Sequence, residues 1–266
     1  MRRTVSSQLV ADILDPADVV IAVAVAAGSD VEEESLRVTL DGRTLEVRDV
    51  LDDEGSRLHC VDAIGLGQLF VDYHAVVGSR AAPAGVSEID PIRYLRPSRY
   101  CESDRLAPTA RNEFGGLRGA ALLDAVSSWV GRHLAYVAGS SRPTDGAVAT
   151  LLARQGVCRD FAHLVVALLR ACDVPARVVS VYAPGLAPMD FHAVAEVLID
   201  GEWLVVDATC LAPRSAMVRI ATGRDAADSA FLTVTRGSAR LTSIWVSAIC
   251  NDTLPFDDLN HPERLG

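Results

Sequence analysis

The sequence predicts an α+β protein in which helices pack on a mostly antiparallel sheet, preceded by a small β-sandwich-like part. Three observations carry this. Residues 1–78 are strand-like, three helical periodicities follow between about 117 and 172, and short alternating runs resume after 176. Half of the 266 residues are hydrophobic and 23% are charged, so the chain can bury a sizeable core and is not a disordered segment.

The elements read in order. "DVVIAVAVAAG", "SLRVTLDGRTLEVRDVL", "RLHCVDAIG" and "GQLFVDYHAVVG" are β-branched or alternating runs, and Asp41-Gly42 between two of them is a hairpin signal. Residues 79–115 carry Pro83, Pro91, Pro97, Pro108 and the pair Gly115-Gly116, which reads as a surface connector. Residues 116–266 then form a second domain. Leu122, Ala125, Val126, Trp129 and Val130 mark one helix, and "TDGAVATLLARQG" marks a second, with Gly156 as its expected stop. "CRDFAHLVVALLRACDV" is a third, with Phe161, Leu164, Val165, Leu168 and Leu169 on one stripe and Pro175 barring its continuation. The strands "ARVVSVY", "FHAVAEVLI", "EWLVVDAT", "AFLTVTRG" and "LTSIWVSAI" follow.

Charge and cysteine usage narrow the partners. A net charge of −10 argues against a broad nucleic-acid surface, and no basic run suggests an anionic membrane. The six cysteines (60, 101, 158, 172, 210 and 250) form no CxxC pair, which argues against a structural metal site and fits a reducing cytoplasm. "VVIAVAVAAGS" is separated from Arg2 and Arg3 by three aspartates and Pro16, so it reads as a buried strand and not as a signal peptide.

Cys158 stands out among the cysteines. A cysteine is by default a core residue. This one follows Gly156, precedes an amphipathic run and is flanked by Gln155, Arg159 and Asp160. It should occupy the first helical turn, where free N–H groups and the helix dipole favour a thiolate. A nucleophilic thiol needs a base and the base an orienting acid. If Asp200-Gly201 is a two-residue turn, paired residues sum to 401, so Val194 faces Asp207 and His192 faces Thr209. His192 and Asp207 then share a face as diagonal neighbours about 7–8 Å apart at the backbone. A one-residue slip would separate them. His163 is the rival base, but it lies five positions after Cys158, about 140° around the helix. It is expected to be packed and hydrogen-bonded.

"GVCRDFAHLVVALLRACDVPARVVSVY", "HAVAEVLIDGEWLVVDAT" and "RIATGRDAADSAFLTVTRG" resemble the bacterial transglutaminase-like superfamily over roughly residues 116–237. The resemblance implies a papain-like core with Cys158 as nucleophile, His192 as base and Asp207 as orienting acid. It also implies acyl transfer or hydrolysis on a protein or peptide amide substrate, with no metal or organic cofactor. Two positions depart from the family pattern: Val194 stands for its usual Trp, and Ala208 for its usual Pro. Gln155 is a candidate for a second oxyanion donor beside the Cys158 N–H. The competing readings are a noncatalytic binding module that keeps the fold, a true transglutaminase, and an acetyltransferase.

Overall fold

The strands Arg3–Ile21 and Gly67–Val77 alternate buried and half-exposed residues because one face of their sheet covers a core and the other does not. The computed structural model describes residues 1–259 and 261–265. Its first part contains β1 (Arg3–Ile21), β2 (Val31–Leu40), β3 (Arg43–Thr44), β4 (Arg48–Leu51), β5 (Arg57–Ile64) and β6 (Gly67–Val77). All belong to one antiparallel sheet of order β3-β2-β6-β1-β5-β4. β1 pairs with β6 over Arg3–Ile13 and with β5 over Ala17–Ile21, with irregular register around Asp15 and Asp18. Those irregularities bend the strand, and the sheet curls over its own core. Asp41 and Gly42 make the expected tight turn with φ of 48° and 78°. The hairpin holds for only two pairs, Leu40 with Arg43 and Thr39 with Thr44, before the chain leaves to form β4 beside β5.

The connector is more ordered than its prolines suggest. It contains α1 (Asp90–Arg93) and α2 (Ser103–Phe114), with Pro108 inside α2. Proline costs a helix one hydrogen bond, but Leu106, Ala110 and Phe114 bury one face of α2 in the second core and hold it. Then come α3 (Gly119–His133), β7 (Ala135–Tyr136), α4 (Ala147–Ala153), β8 (Gln155–Gly156) and α5 (Cys158–Ala171). After α5 come β9 (Ala176–Tyr182), β10 (His192–Ile199), β11 (Glu202–Val206) and β12 (Val218–Gly223), which form a sheet of order β11-β10-β9-β12. The short α6 (Ala226–Ser229) precedes the final strand, β13 (Leu232–Cys250). No described helix is long and apolar enough to cross a membrane.

Two sequence expectations change here. Arg154, not Gly156, takes the left-handed position after α4, with φ of 57°. The sequence also grouped β13 with the catalytic part, but β13 pairs along β1 from Arg3↔Cys250 to Ile21↔Leu232 and completes the first sheet. The two sheets share a core: Tyr182, Phe191, Val218 and Ile220 pack with Val5, Leu9, Val71 and Tyr73. α5 is buried all round, beyond the single predicted stripe, because it lies between the helices and β9–β10.

A charged network joins the halves and steadies β10. Arg177 donates from Nε to Glu196 (2.8 Å) and from Nη1 to Glu54 of the first part (3.0 Å). Arg219 holds the other Glu196 oxygen at 2.6 Å. The Arg177 guanidinium also lies 3.9 Å over the Trp203 ring. Glu196 is buried but fully paired, which is what a carboxylate in a core requires.

Candidate active site

The segment Gly156–Asp160 builds the start of α5 through its local chemistry. Val157 is extended and caps the helix, and the Asp160 carboxylate returns to accept the Val157 N–H at 2.8 Å. Ser141 Oγ donates to the other Asp160 oxygen at 2.9 Å, and Arg159 also reaches it. Gly156 leaves the room this needs, since a Cβ there would sit 2.7 Å from the Asp160 Cβ. Cys158 is therefore the first residue of α5, half-buried, with its Sγ 3.8 Å from the Phe191 carbonyl oxygen.

The Asp200-Gly201 turn forms as the sequence requires, with φ of 51° and 80°. Pairing runs Ile199↔Glu202 to Ala195↔Val206, each pair summing to 401. The register carries Asp207 past the end of β11 to His192, and the imidazole Nε2 meets Asp207 Oδ2 at 2.8 Å. The other carboxylate oxygen accepts the Thr209 N–H at 2.9 Å and its hydroxyl at 2.6 Å. Thr209 thus fixes the acid, a role the sequence reading did not give it. Its place two residues after Asp207 is the signal of an Asx-type turn.

The electrostatics follow from this geometry. His192 is 1% exposed, and burial alone would suppress its positive charge. The charge and hydrogen bond of Asp207, with a further contribution from the Cys158 thiol, outweigh burial and raise its pKa to about 10. Asp207 is buried as well, yet His192 and Thr209 hold its pKa below the ordinary carboxylate value. With Nε2 engaged by Asp207, Nδ1 is buried with no conventional hydrogen-bond partner and is the nitrogen open to the Cys158 thiol.

Tyr136 is the residue sequence reasoning missed. The parallel pair β7–β8 sets it opposite Gly156, and its ring packs on Phe161 with centroids 5.9 Å apart. Cys158 is the neighbour that acts on its hydroxyl, through both backbone and sulfur. Burial, then the neighbouring sulfur, push the phenol up to about 12, so it stays a neutral donor. Nothing around the two-residue "AY" betrays this in the sequence, because the parallel pairing that positions it is non-local.

The other candidates fall as follows. His163 is fully buried, stacks on Tyr100, and accepts the Ala226 N–H at 3.1 Å. Burial drives its pKa down to about 3, so it is a neutral packed histidine, as its helical position predicted. Gln155 is exposed on β8. Val194 is buried in the small core with Val179, Val181 and Val205.

A model of the transglutaminase-like superfamily matches residues 112–208, a span that holds Cys158, His192 and Asp207. Among solved structures, a candidate cysteine protease of Cytophaga hutchinsonii is 32% identical, with 98% of this chain and 95% of that one covered and a TM-score of 0.87. The periplasmic domain of TgpA from Pseudomonas aeruginosa, bound to ethylmercury, is 19% identical over 74% of this chain and 91% of that one, with a TM-score of 0.41. No curated protein matches the chain. Full-length similarity at this identity, together with the family match over the helical core and the β10–β11 hairpin, places the chain in the transglutaminase-like superfamily.

Proposed function

We propose that the protein is a cysteine-dependent amide hydrolase or acyltransferase acting on protein or peptide substrates. Cys158 is its nucleophile, His192 its general acid and base, and Asp207 the group that orients the imidazole. The observation that carries this is the 2.8 Å His192–Asp207 bond, which leaves the opposite ring nitrogen to the Cys158 thiol. The similar C. hutchinsonii protein, described as a candidate cysteine protease, supports hydrolysis as the first choice.

The chemistry proceeds in two halves. The Cys158 proton passes to His192 Nδ1, and Asp207 stabilises the resulting imidazolium. The sulfur attacks the amide carbonyl carbon, forming a C–S bond and placing the carbonyl electron pair on oxygen. The Cys158 N–H and the Tyr136 hydroxyl, which is its neighbour, are the donors for that oxyanion. His192 then protonates the amide nitrogen as the C–N bond breaks, and the amine departs. Water, or a second amine, attacks the thioester while His192 takes its proton. Re-formation of the carbonyl breaks the C–S bond and leaves the thiolate beside the imidazolium.

The test is to incubate the protein with casein, with and without a fluorescent primary amine. Fragments that vanish with Cys158→Ser support a protease, and amine incorporation that vanishes supports a transglutaminase. Unchanged turnover in Cys158→Ser would remove the cysteine from the chemistry.

A further inference from the structure

The last strand of the first sheet has an open edge beside a loop that also reaches the candidate active site. Among the described residues β13 pairs with β1 alone, so its far edge has no partner strand. Asn251 donates to the Arg2 carbonyl at 2.9 Å, which fixes the phase of the ladder. Counting back by twos, residues 249, 247 and 245 bond inward to β1, whereas Ala248, Val246 and Ile244 direct their N–H and C=O groups outward. One outward group confirms the phase: the Ala248 N–H meets Met189 Sδ at 3.5 Å.

Met189 is two residues before Phe191, whose carbonyl oxygen lies 3.8 Å from Cys158 Sγ. The open edge and the thiol are thus joined by three residues of one loop. A strand laid on the edge would lie against Met189, in the same loop that carries Phe191 to Cys158.

Nothing in the sequence blunts this edge. From Leu241 to Cys250, "LTSIWVSAIC", there is no charge and no proline, the usual devices that keep an unpaired strand from binding another. Trp245 is 51% exposed, and Ile249 is exposed on the same face with Ser247 between them. A paired peptide would place every second side chain on that face, with Trp245 and Ile249 as its apolar contacts. The weak thioether acceptor on Ala248 is displaceable by a peptide carbonyl, a stronger one.

We propose that β13 is the substrate-docking strand: an extended polypeptide adds to its Ile244–Ala248 edge by main-chain hydrogen bonds and so delivers an amide to Cys158. This rests on the assignment of Cys158 as nucleophile. The substrate class it selects is unfolded or extended protein segments with apolar residues at alternate positions, recognised mainly through their backbone.

The test uses a fluorescein-labelled peptide of alternating Thr and Val residues ending in two lysines, and its analogue N-methylated at successive amides, which removes donors from both edges of the peptide strand. Binding to the Cys158→Ser protein is read by fluorescence anisotropy, so it does not depend on reactivity. Two or more lost main-chain hydrogen bonds should weaken the N-methylated peptide at least about tenfold. Ile244→Pro, which removes an outward N–H that the ladder does not use, should weaken the parent peptide to a similar degree. In the wild type the parent peptide should slow iodoacetamide labelling of Cys158 several-fold and the N-methylated one should not.

Equal binding of the two peptides overturns the proposal, and does so without altering the protein, so a folding defect in Ile244→Pro cannot obscure it. Binding that leaves the labelling of a reactive Cys158 unchanged also overturns it. A wild type that sediments as a dimer and an Ile244→Pro that sediments as a monomer would assign the edge to a second copy instead. A thiol inert to iodoacetamide, with peptide binding still sensitive to N-methylation, would count against the nucleophile and not against the docking strand.

Discussion

Replacing Asp207 by asparagine isolates the electrostatic role of the acid from its place in the fold. The asparagine side-chain oxygen can still accept the Thr209 N–H that Asp207 now accepts at 2.9 Å, so the turn should persist. What is lost is the negative charge 2.8 Å from His192 Nε2. In the wild type that charge overcomes burial and raises the imidazole to about 10. Without it burial dominates, and the value should fall below the ordinary histidine value of about 6.5. The difference exceeds about three pKa units, or a few kcal/mol of stabilisation of the imidazolium. The direct assay follows the His192 ring protons by NMR from about pH 5 to 11 in the two proteins. Stability supplies a second readout with a definite sign. The raised folded-state value in the wild type means that the pair's stabilisation is complete below about pH 6.5 and drains away as pH rises through about 10. In Asp207→Asn the folded value lies below the unfolded one, so this histidine's contribution grows as pH rises through about 6.5. A wild-type titration midpoint retained in Asp207→Asn would refute the reasoning.

Three further outcomes follow from the same structure. Tyr136→Phe removes one proposed oxyanion donor and should lower kcat by about 10²-fold with little change in KM, measured by steady-state cleavage of a peptide substrate. Asp160→Ala strips the cap from Val157 N–H and leaves the Ser141 hydroxyl without its acceptor. Thermal melting should show a loss of about 1–2 kcal/mol, with slower alkylation of Cys158. Glu196→Ala leaves Arg177 and Arg219 without their shared buried counter-charge and should cost about 3–5 kcal/mol in urea unfolding.

The parts of the site legible in the sequence are those fixed by local rules. Asp200-Gly201 permits one tight turn, so the register that joins His192 to Asp207 followed from counting. The Gly156–Cys158 spacing likewise located the helix start. The parts that stayed hidden depend on distant contacts. Tyr136 reaches Cys158 through a parallel pair closed across residues 137–154, and β13 returns to β1 across more than two hundred residues. Pro108 reads as a breaker because its cost is local, whereas the burial of Leu106, Ala110 and Phe114 that offsets it is tertiary. α5 showed one apolar stripe because Ala162, Val166 and Ala167 acquire their burial only from the helices packed on the far side.

The central claim is that His192 and Cys158 act as one ionised pair, and the pH dependence of Cys158 alkylation tests it most directly. Iodoacetamide labelling of the wild type, mapped to the Cys158 peptide, should be fast at about pH 5.5 and should slow markedly at that pH in His192→Ala. Labelling that rises only near pH 8.5, alike in both proteins, would contradict the account and leave Cys158 an ordinary thiol at a helix start.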